Sequence, residues 1–142
     1  MNLLSNVKLR KVSVATVAGT SAVTSDQVDT AGFMSATFFT TIGTANAGNY
    51  IKIQQDETTG MASAADLEGS KVIAAADADI VAKEITRPQE RFLRAVVTRG
   101  ASTTVGDIYC ILSGPARTLP VDNNVDDEIV SEISASPDEG TA

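Results

Sequence analysis

The fold of this chain is decided by residues 87–120, which read RPQERFLRAVVTRGASTTVGDIYCILSGPARTLP. Two segments of this stretch, residues 91–99 and 105–113, place apolar side chains at every second position. Side chains of a strand point alternately to its two faces, so this spacing predicts two β-strands with at least one buried face. We interpret them as the closing hairpin of a sandwich, with these candidate core residues: Phe92 or Leu93 from the first strand, and Ile108 or Leu112 from the second.

Further short strands are predicted before this stretch. Residues 7–17 alternate apolar and polar side chains, and the alternation shifts near Lys11, which predicts a bulge or a bend. Residues 33–42 and 50–55 carry strong strand patterns on either side of a Gly- and Asn-rich loop. That arrangement predicts an antiparallel hairpin.

The middle of the chain is less regular. Residues 63–66 form a weak capping box, which predicts one helical turn. Residues 72–82 are compatible with a helix by their alanine content, or with strand–turn–strand by their Val-Ile pairs. We favour a short strand, a turn at residues 77–79 and a strand over residues 80–85. Many short strands with polar turns and little helix predict an all-β protein, an antiparallel β-sandwich or jelly roll.

The residue types that usually perform catalysis are scarce. The 142-residue sequence has no histidine, which removes the commonest general base and metal ligand, and its single cysteine is Cys110. On an apolar strand face without an activating histidine, Cys110 is interpreted as a core residue. Asp77 and Asp79 are interpreted as a solvated turn. We therefore expect no catalytic residue, no cofactor and no metal site, and a protein that is not an enzyme.

Charge divides the chain into two parts. The formal net charge is −7, yet residues 1–118 contain all 11 basic residues and 11 of the 18 acidic ones. The remaining seven acids lie after them with no basic residue among them. We therefore predict a β-sandwich domain over residues 1–120 and an extended acidic C-terminal arm over residues 121–142.

Two groups of residues are candidates for an interface. Apolar residues recur every fourth position in the arm, which either stays a solvated tail or docks on a neighbouring subunit. Near the N-terminus, clustered basic residues either form an ordinary solvated strand face or dock an acidic partner, such as a neighbour's arm. The six candidate interface residues are Lys8, Arg10, Lys11, Val125, Ile129 and Ile133.

Composition also argues against two classes of partner. Nucleic acid is not expected, because the domain is electrically balanced, aromatic residues make up only 4% and the arm is acidic. A membrane is not expected either, since no apolar run approaches roughly 18 residues and the N-terminus lacks a signal-peptide core. These features predict a soluble protein made in a cytoplasm.

Six short segments together resemble a family of small virion proteins of tailed bacteriophages. They are DTAGF (29–33), IGT (42–44), YIKIQQD (50–56), SAADLEG (63–69), ERFLRAVV (90–97) and GPARTLPV (114–121). The resemblance implies a capsid-associated β-sandwich of the decoration or cement type, made in the host cytoplasm. Such a protein binds the major capsid protein on the virion surface, stabilises the head shell and forms homo-oligomers, in some cases trimers. The acidic arm is not part of this resemblance.

Two alternatives stay open for the function. One is a head–tail connector or tail structural component, which belongs to the same broad class. The other is a carbohydrate- or receptor-binding β-sandwich module, for which only Tyr50 and Tyr109 offer suitable aromatic side chains outside the phenylalanines.

Overall fold

A computed structural model describes residues 2–116, 123 and 129–132 of the chain. These residues form a short 3₁₀ helix, Leu3–Ser5, and twelve strands. The strands are β1 (Val7–Ser13), β2 (Thr16–Gly19), β3 (Val23–Thr24), β4 (Val28–Asp29), β5 (Phe33–Ile42), β6 (Asn49–Asp56), β7 (Ala65–Asp66), β8 (Val72–Ile73), β9 (Asp79–Thr86), β10 (Phe92–Arg99), β11 (Thr103–Val105) and β12 (Ile108–Pro115).

The strands form two antiparallel sheets. Sheet A contains β1, β2, β5, β9, β11 and β12, and sheet B contains the other six. Four pairs of successive strands act as single ribbons: β1 with β2, β3 with β4, β7 with β8, and β11 with β12. Numbered along the chain, the ribbons are ordered 1-8-3-6 in sheet A and 2-7-4-5 in sheet B. This is the double Greek key of a jelly roll, so the predicted all-β sandwich is confirmed.

Both predicted hairpins are wrong. Strand β5 pairs with β12 and β9 in sheet A, whereas β6 pairs with β10 in sheet B. The two main strands of residues 87–120 also lie in different sheets, with β10 in sheet B and β12 in sheet A. The loops after β5 and β10 cross between the sheets instead of turning back within one. They pass so closely that a Cβ added to Gly100 would lie 2.8 Å from the Gly48 Cα.

The predicted helical turn at residues 63–66 is also wrong. Ala65 and Asp66 form β7 and pair with Gln55 and Gln54 of β6, so long-range pairing outweighs the weak capping signal. Other local predictions are confirmed. Strands β8 and β9 flank a turn, and the register of β1 shifts between Lys11 and Ser13.

The core lies between the two sheets and is built from their inward-facing side chains. Of the candidate core residues, Leu93 and Ile108 are fully buried and Leu112 is 2% exposed, while Phe92 is half-buried on the outer side of sheet B. The largest fully buried side chains belong to these residues: Phe38, Ile42, Ile51, Ile53, Leu93, Ile108 and Leu112. Of the alternatives left open, the structure therefore selects Leu93 over Phe92 and buries both Ile108 and Leu112.

Candidate docking surfaces

Cys110 is a core residue, as predicted. Its side chain is buried among the inward-facing residues of sheet A. Burial disfavours the thiolate and raises the pKa of the thiol to about 12, against a small lowering effect of Arg10. A thiol that stays protonated at neutral pH is a poor nucleophile.

We therefore expect the thiol of Cys110 to be protected by the fold. The native protein should react with a water-soluble thiol reagent about a hundredfold more slowly than the urea-unfolded chain. Because the folded-state pKa is raised, this thiol stabilises the fold below the ordinary pKa and loses that effect as pH rises towards 12. Urea unfolding of Cys110→Ala should show a smaller loss of stability across this alkaline range; an equal loss would contradict the prediction.

The paired aspartates hold loops in place. Asp77 Oδ1 accepts a hydrogen bond from the Ala45 N–H at 2.7 Å. Asp79 Oδ2 accepts from the N–H groups of Ala75 and Ala76 at 3.1 and 2.7 Å. Both carboxylates are thus engaged by backbone amides at one end of the sandwich. Among the described residues, no group of three or more acidic or cysteine side chains is placed to hold a metal ion.

The three basic candidates of β1 do not share one face. Lys8 and Arg10 pair with Leu112 and Cys110, whose side chains point into the sandwich, whereas Lys11 pairs with the outward-facing Tyr109. Alternation along the strand therefore places Lys8 and Arg10 on one side of the sheet edge and Lys11 on the other. Their role in an interface stays a prediction.

The candidates in the arm are described only in part. Val125 and Ile133 lie outside the described residues. Ile129 is half-buried and the neighbouring Val130 is fully exposed. The docking of the arm on a partner, and the domain boundary at residue 120, stay predictions.

Asn123, which the sequence did not single out, binds the outer edge of β1. Its Oδ1 accepts from the Leu9 N–H at 2.6 Å, and its Nδ2 donates to the carbonyls of Val7 and Leu4 at 2.9 and 3.0 Å. The Leu9 N–H and the Val7 carbonyl point away from the sheet, where they would form hydrogen bonds with a neighbouring strand. The Asn123 amide therefore stands in for a further strand and is itself only 6% exposed.

Removing this amide should open the edge of β1. We expect Asn123→Ala to lower the free energy of unfolding by about 1–2 kcal/mol. Three hydrogen bonds to the backbone are lost, and the loss is limited because water can bind the backbone groups that become exposed. Hydrogen exchange at the Leu9 amide should accelerate markedly. Asn123→Asp keeps an acceptor but has no N–H to donate, so it should not restore stability. Unchanged exchange at Leu9 in both variants would contradict the prediction.

The outer surface of sheet A carries an apolar patch, which we call the apolar face: Leu9, Phe39, Ile80, Tyr109 and Ile111. The sheet register places Leu9 opposite Ile111 and Tyr109 opposite Phe39, so these side chains are neighbours on adjacent strands. The rings of Phe39 and Tyr109 stack with centroids 5.4 Å apart. At the far edge of the sheet, Ile80 is 71% exposed.

A polar clamp supports this aromatic pair. The Tyr109 hydroxyl donates to Asp107 Oδ2 at 3.1 Å, and Asp107 Oδ1 accepts from the Ala15 N–H at 2.6 Å. The hydrogen bond to Asp107 raises the pKa of Tyr109. Asp107 therefore ties the tyrosine to the junction between β1 and β2, which restrains one side of the apolar face.

The outer surface of sheet B, which we call the polar face, carries Phe92 and Ile73 as well, but a network of charged and amide side chains lies between them. Asp66 forms an ion pair with Lys52 at 2.7 Å and accepts from Gln54 Nε2 at 2.7 Å, while Arg94 donates to Gln54 Oε1 at 2.8 Å. The hydrogen bond from Lys52 is the main cause that lowers the pKa of Asp66. These cross-strand partners satisfy one another, so the polar face is suited to water and the apolar face to a dry contact.

The similarity of this chain to known proteins is limited to a distant structural likeness. No family model matches it, and no curated protein matches its sequence. Among solved structures, the crystal structure of SPBc2 prophage-derived protein YomS matches with a TM-score of 0.47 and 10% identity, covering 80% of this chain and 100% of that one. At this distance we draw no functional conclusion from the likeness. Within the described residues, no helix combines the length and hydropathy needed to cross a membrane.

Proposed function

We propose that this protein is a non-enzymatic structural protein of a tailed-bacteriophage virion, of the capsid decoration or cement type. In this proposal the apolar face binds the major capsid protein and stabilises the head shell from outside. The contrast between the apolar face and the polar face is the observation that carries it. The resemblance of short segments within residues 29–121 to small virion proteins supports the choice of partner.

The apolar face has the anatomy of a protein–protein contact. Phe39 and Tyr109 provide stacked aromatic side chains at its centre, and aromatic residues are enriched among those that dominate binding energy. Charged residues lie at the margins, with Lys11 on β1 and Glu84 on β9. Because the side chains stand on paired strands of a jelly roll, they lose little freedom on binding.

The positions of the reactive groups agree with a non-enzymatic role. The thiol of Cys110 is buried and protonated, and Asp77 and Asp79 hold backbone amides of the loops. The two tyrosines are also engaged, because Tyr50 carries the Lys71 ammonium 4.1 Å above its ring and Tyr109 stacks on Phe39. This engagement makes a sugar-stacking platform, the carbohydrate-binding alternative, less favoured.

The location can be tested on purified particles of the parent phage. Quantitative composition and cryo-electron microscopy should find the protein on the shell exterior, in a copy number comparable to that of the major capsid protein. A small fixed ring of copies at the head–tail junction would favour the connector alternative instead. Absence from purified particles would overturn the proposal.

The docking face can be tested with matched variants. Phe39 on the apolar face and Phe92 on the polar face are both half-buried phenylalanines at outward strand positions. We expect Phe39→Ser to weaken co-sedimentation with undecorated shells about tenfold or more, and Phe92→Ser to change it little. Circular dichroism should show that both variants are folded. Equal binding by the two variants would overturn the assignment of the apolar face.

A further inference from the structure

The edges of the two sheets are protected to different degrees. A sheet edge exposes unpaired backbone N–H and C=O groups, and proteins usually shorten, bend or cover such edges. In the described part of the chain, sheet B ends in strands of two residues on both sides, β3 with β4 and β7 with β8. On one side of sheet A, β1 is bulged after Lys11 and bonded by Asn123, and its continuation β2 has four residues.

The other edge of sheet A, strand β9, is not shortened or bent, and its edge protection comes from the charged side chains Lys83 and Glu84 in its second half. It spans eight residues, Asp79–Thr86, and pairs with β5 in an unbroken register. Among the described residues, the backbone–backbone hydrogen bonds of Ile80 to Thr86 go to β5. The strand contains neither proline nor a bulge, and the exposed Ile80 lies within it. A long edge of this kind is a ready template for another strand.

Space for another strand exists beside β9. An open groove of about 530 Å³ runs along its second half, between the two sheets. Lys83 and Ile85 of β9 line one wall and Leu67 of the β7–β8 connection lines the other. The groove leaves the β9 edge accessible from outside the sandwich.

Self-pairing of β9 has a register in which its side chains match. In an antiparallel pair about a two-fold axis, centring the axis on Val81 places Ile80 opposite Ala82 of the partner subunit and Asp79 opposite the partner's Lys83. On the outer side of the paired strands, Ile80 and Ala82 form an apolar surface. On the inner side, the two copies of Val81 lie between two Asp79–Lys83 pairs, and such opposite charges stabilise cross-strand pairing.

Three other registers, with the axis at Ala82, Lys83 or Glu84, are less favourable. An axis at Lys83 places Lys83 opposite the partner's Lys83, and an axis at Glu84 places two glutamates opposite each other, and like charges directly opposite destabilise a sheet. An axis at Ala82 places Ile80 opposite the partner's Glu84. A shift by half a step would place inner residues opposite outer ones, which the pleat does not allow.

We propose that β9 is a dimerisation strand, which pairs antiparallel with β9 of a second copy of this chain about a two-fold axis at Val81. Such a contact is isologous and closed, so β9 itself is left with no unpaired edge for growth into fibres. Sheet A then continues across both subunits, and the two apolar faces lie side by side on one surface. The acidic arm is a less favoured occupant, because Asn123 holds its beginning at β1, the opposite edge of sheet A.

Sedimentation equilibrium of the full chain tests the dimer. We expect the wild type to be a dimer and Ile80→Lys to dissociate at least about tenfold more readily, since an edge lysine blocks strand pairing. Ile73→Lys is the matched control, because Ile73 is also an exposed isoleucine on an edge strand, at 45% against 71% for Ile80. A monomeric or trimeric wild type, or equal effects of both lysines, would overturn the proposal.

Disulfide trapping tests the register. The native Cys110 is buried, so a cysteine introduced on β9 supplies the accessible thiol. Opposite residues of an antiparallel pair have the Cα separation that a disulfide needs. A mixture of Ile80→Cys and Ala82→Cys proteins with different tags should cross-link mainly as the mixed pair. Cross-linking of Ala82→Cys with itself as the main product, or no cross-linking in the mixture, would overturn the register proposed here.

These measurements are independent of the proposed function. They use the purified protein, whereas the location on a capsid is tested on particles. A monomeric wild type would therefore remove the β9 dimer and leave the proposed capsid contact standing. A dimer that becomes stronger only after deletion of residues 124–142 would instead identify the protein's own arm as the occupant of β9 and overturn the dimer proposal for the native chain.

Discussion

Replacing Arg99 by methionine should lower the free energy of unfolding by about 3 kcal/mol. Arg99 ends β10 and is only 7% exposed. Its guanidinium donates to the carbonyl oxygens of Ser21, Val17 and Thr103 at 2.5, 2.8 and 3.0 Å. Methionine retains much of the aliphatic stem but leaves these three carbonyls without their donor. The variant should therefore loosen the end of the sandwich where the chain crosses between sheets.

Two further variants separate geometry from charge at this position. Arg99→Lys keeps the charge but not the planar fork that reaches three carbonyls at once, so it should recover only part of the lost stability. Arg94→Met is the matched control, since Arg94 is half-buried on the same strand and donates to Gln54. We expect that control to lose less than about 1 kcal/mol in urea unfolding. An equal loss at Arg94 and Arg99 would contradict this account of the buried guanidinium.

Phe38→Ala should destabilise the protein by about 3–5 kcal/mol, the range found for truncating a buried phenylalanine. Phe38 is fully buried at the centre of the core, among side chains from both sheets. Removing its ring leaves a cavity that the paired strands on either side of β5 cannot close by moving together. The loss should appear as a lower urea midpoint with an unchanged slope.

The neighbouring residue provides the matched comparison. Phe39 is adjacent in sequence but points outward and stacks on Tyr109 at the surface. We expect Phe39→Ala to cost about 1 kcal/mol, mainly from the lost aromatic contact. The same truncation at adjacent positions thus measures how strongly the two faces of β5 differ. Equal losses would mean that the apolar face is buried by the protein itself, and would also argue against its role in docking.

The inward or outward direction of a side chain on a strand is the part of the fold that the sequence predicts best. The alternation in β12 placed Ile108 and Leu112 on one face, which is the inner one, whereas in β10 it left Phe92 and Leu93 as alternatives that the structure resolves in favour of Leu93. That inference is local, because the backbone itself makes successive side chains point to opposite faces. The same reasoning placed Cys110 in the core.

Strand pairing was not readable in the same way. The loop after β5 contains residues typical of a hairpin turn, yet β5 and β6 belong to different sheets. A turn motif states where the chain reverses but not whether it reverses within a sheet or across the roughly 10 Å between two sheets. That choice depends on which partners bury the inner faces of all the strands together.

For the candidate surfaces, too, the sequence showed which residues cluster along the chain but not which side chains share a face. The basic residues of β1 were visible as a cluster, but the strand places Lys8 and Arg10 on the opposite side from Lys11. Asn123 carried no recognisable signal, because an asparagine within an acidic arm is usual for a solvated segment. Its role arises only from the position of the β1 edge, which is 114 residues away in sequence from this side chain.

By itself, the sequence determined that this is an all-β protein and that Cys110 belongs to its core. These properties follow from period-two patterning and composition, which act over a few residues. Only the tertiary structure decided the jelly-roll order, the contrast between the apolar face and the polar face, and the exposed edge of β9. The physical reason is that each of these features is a relation between strands distant in the chain, whose pairing is selected by burial of the whole core at once.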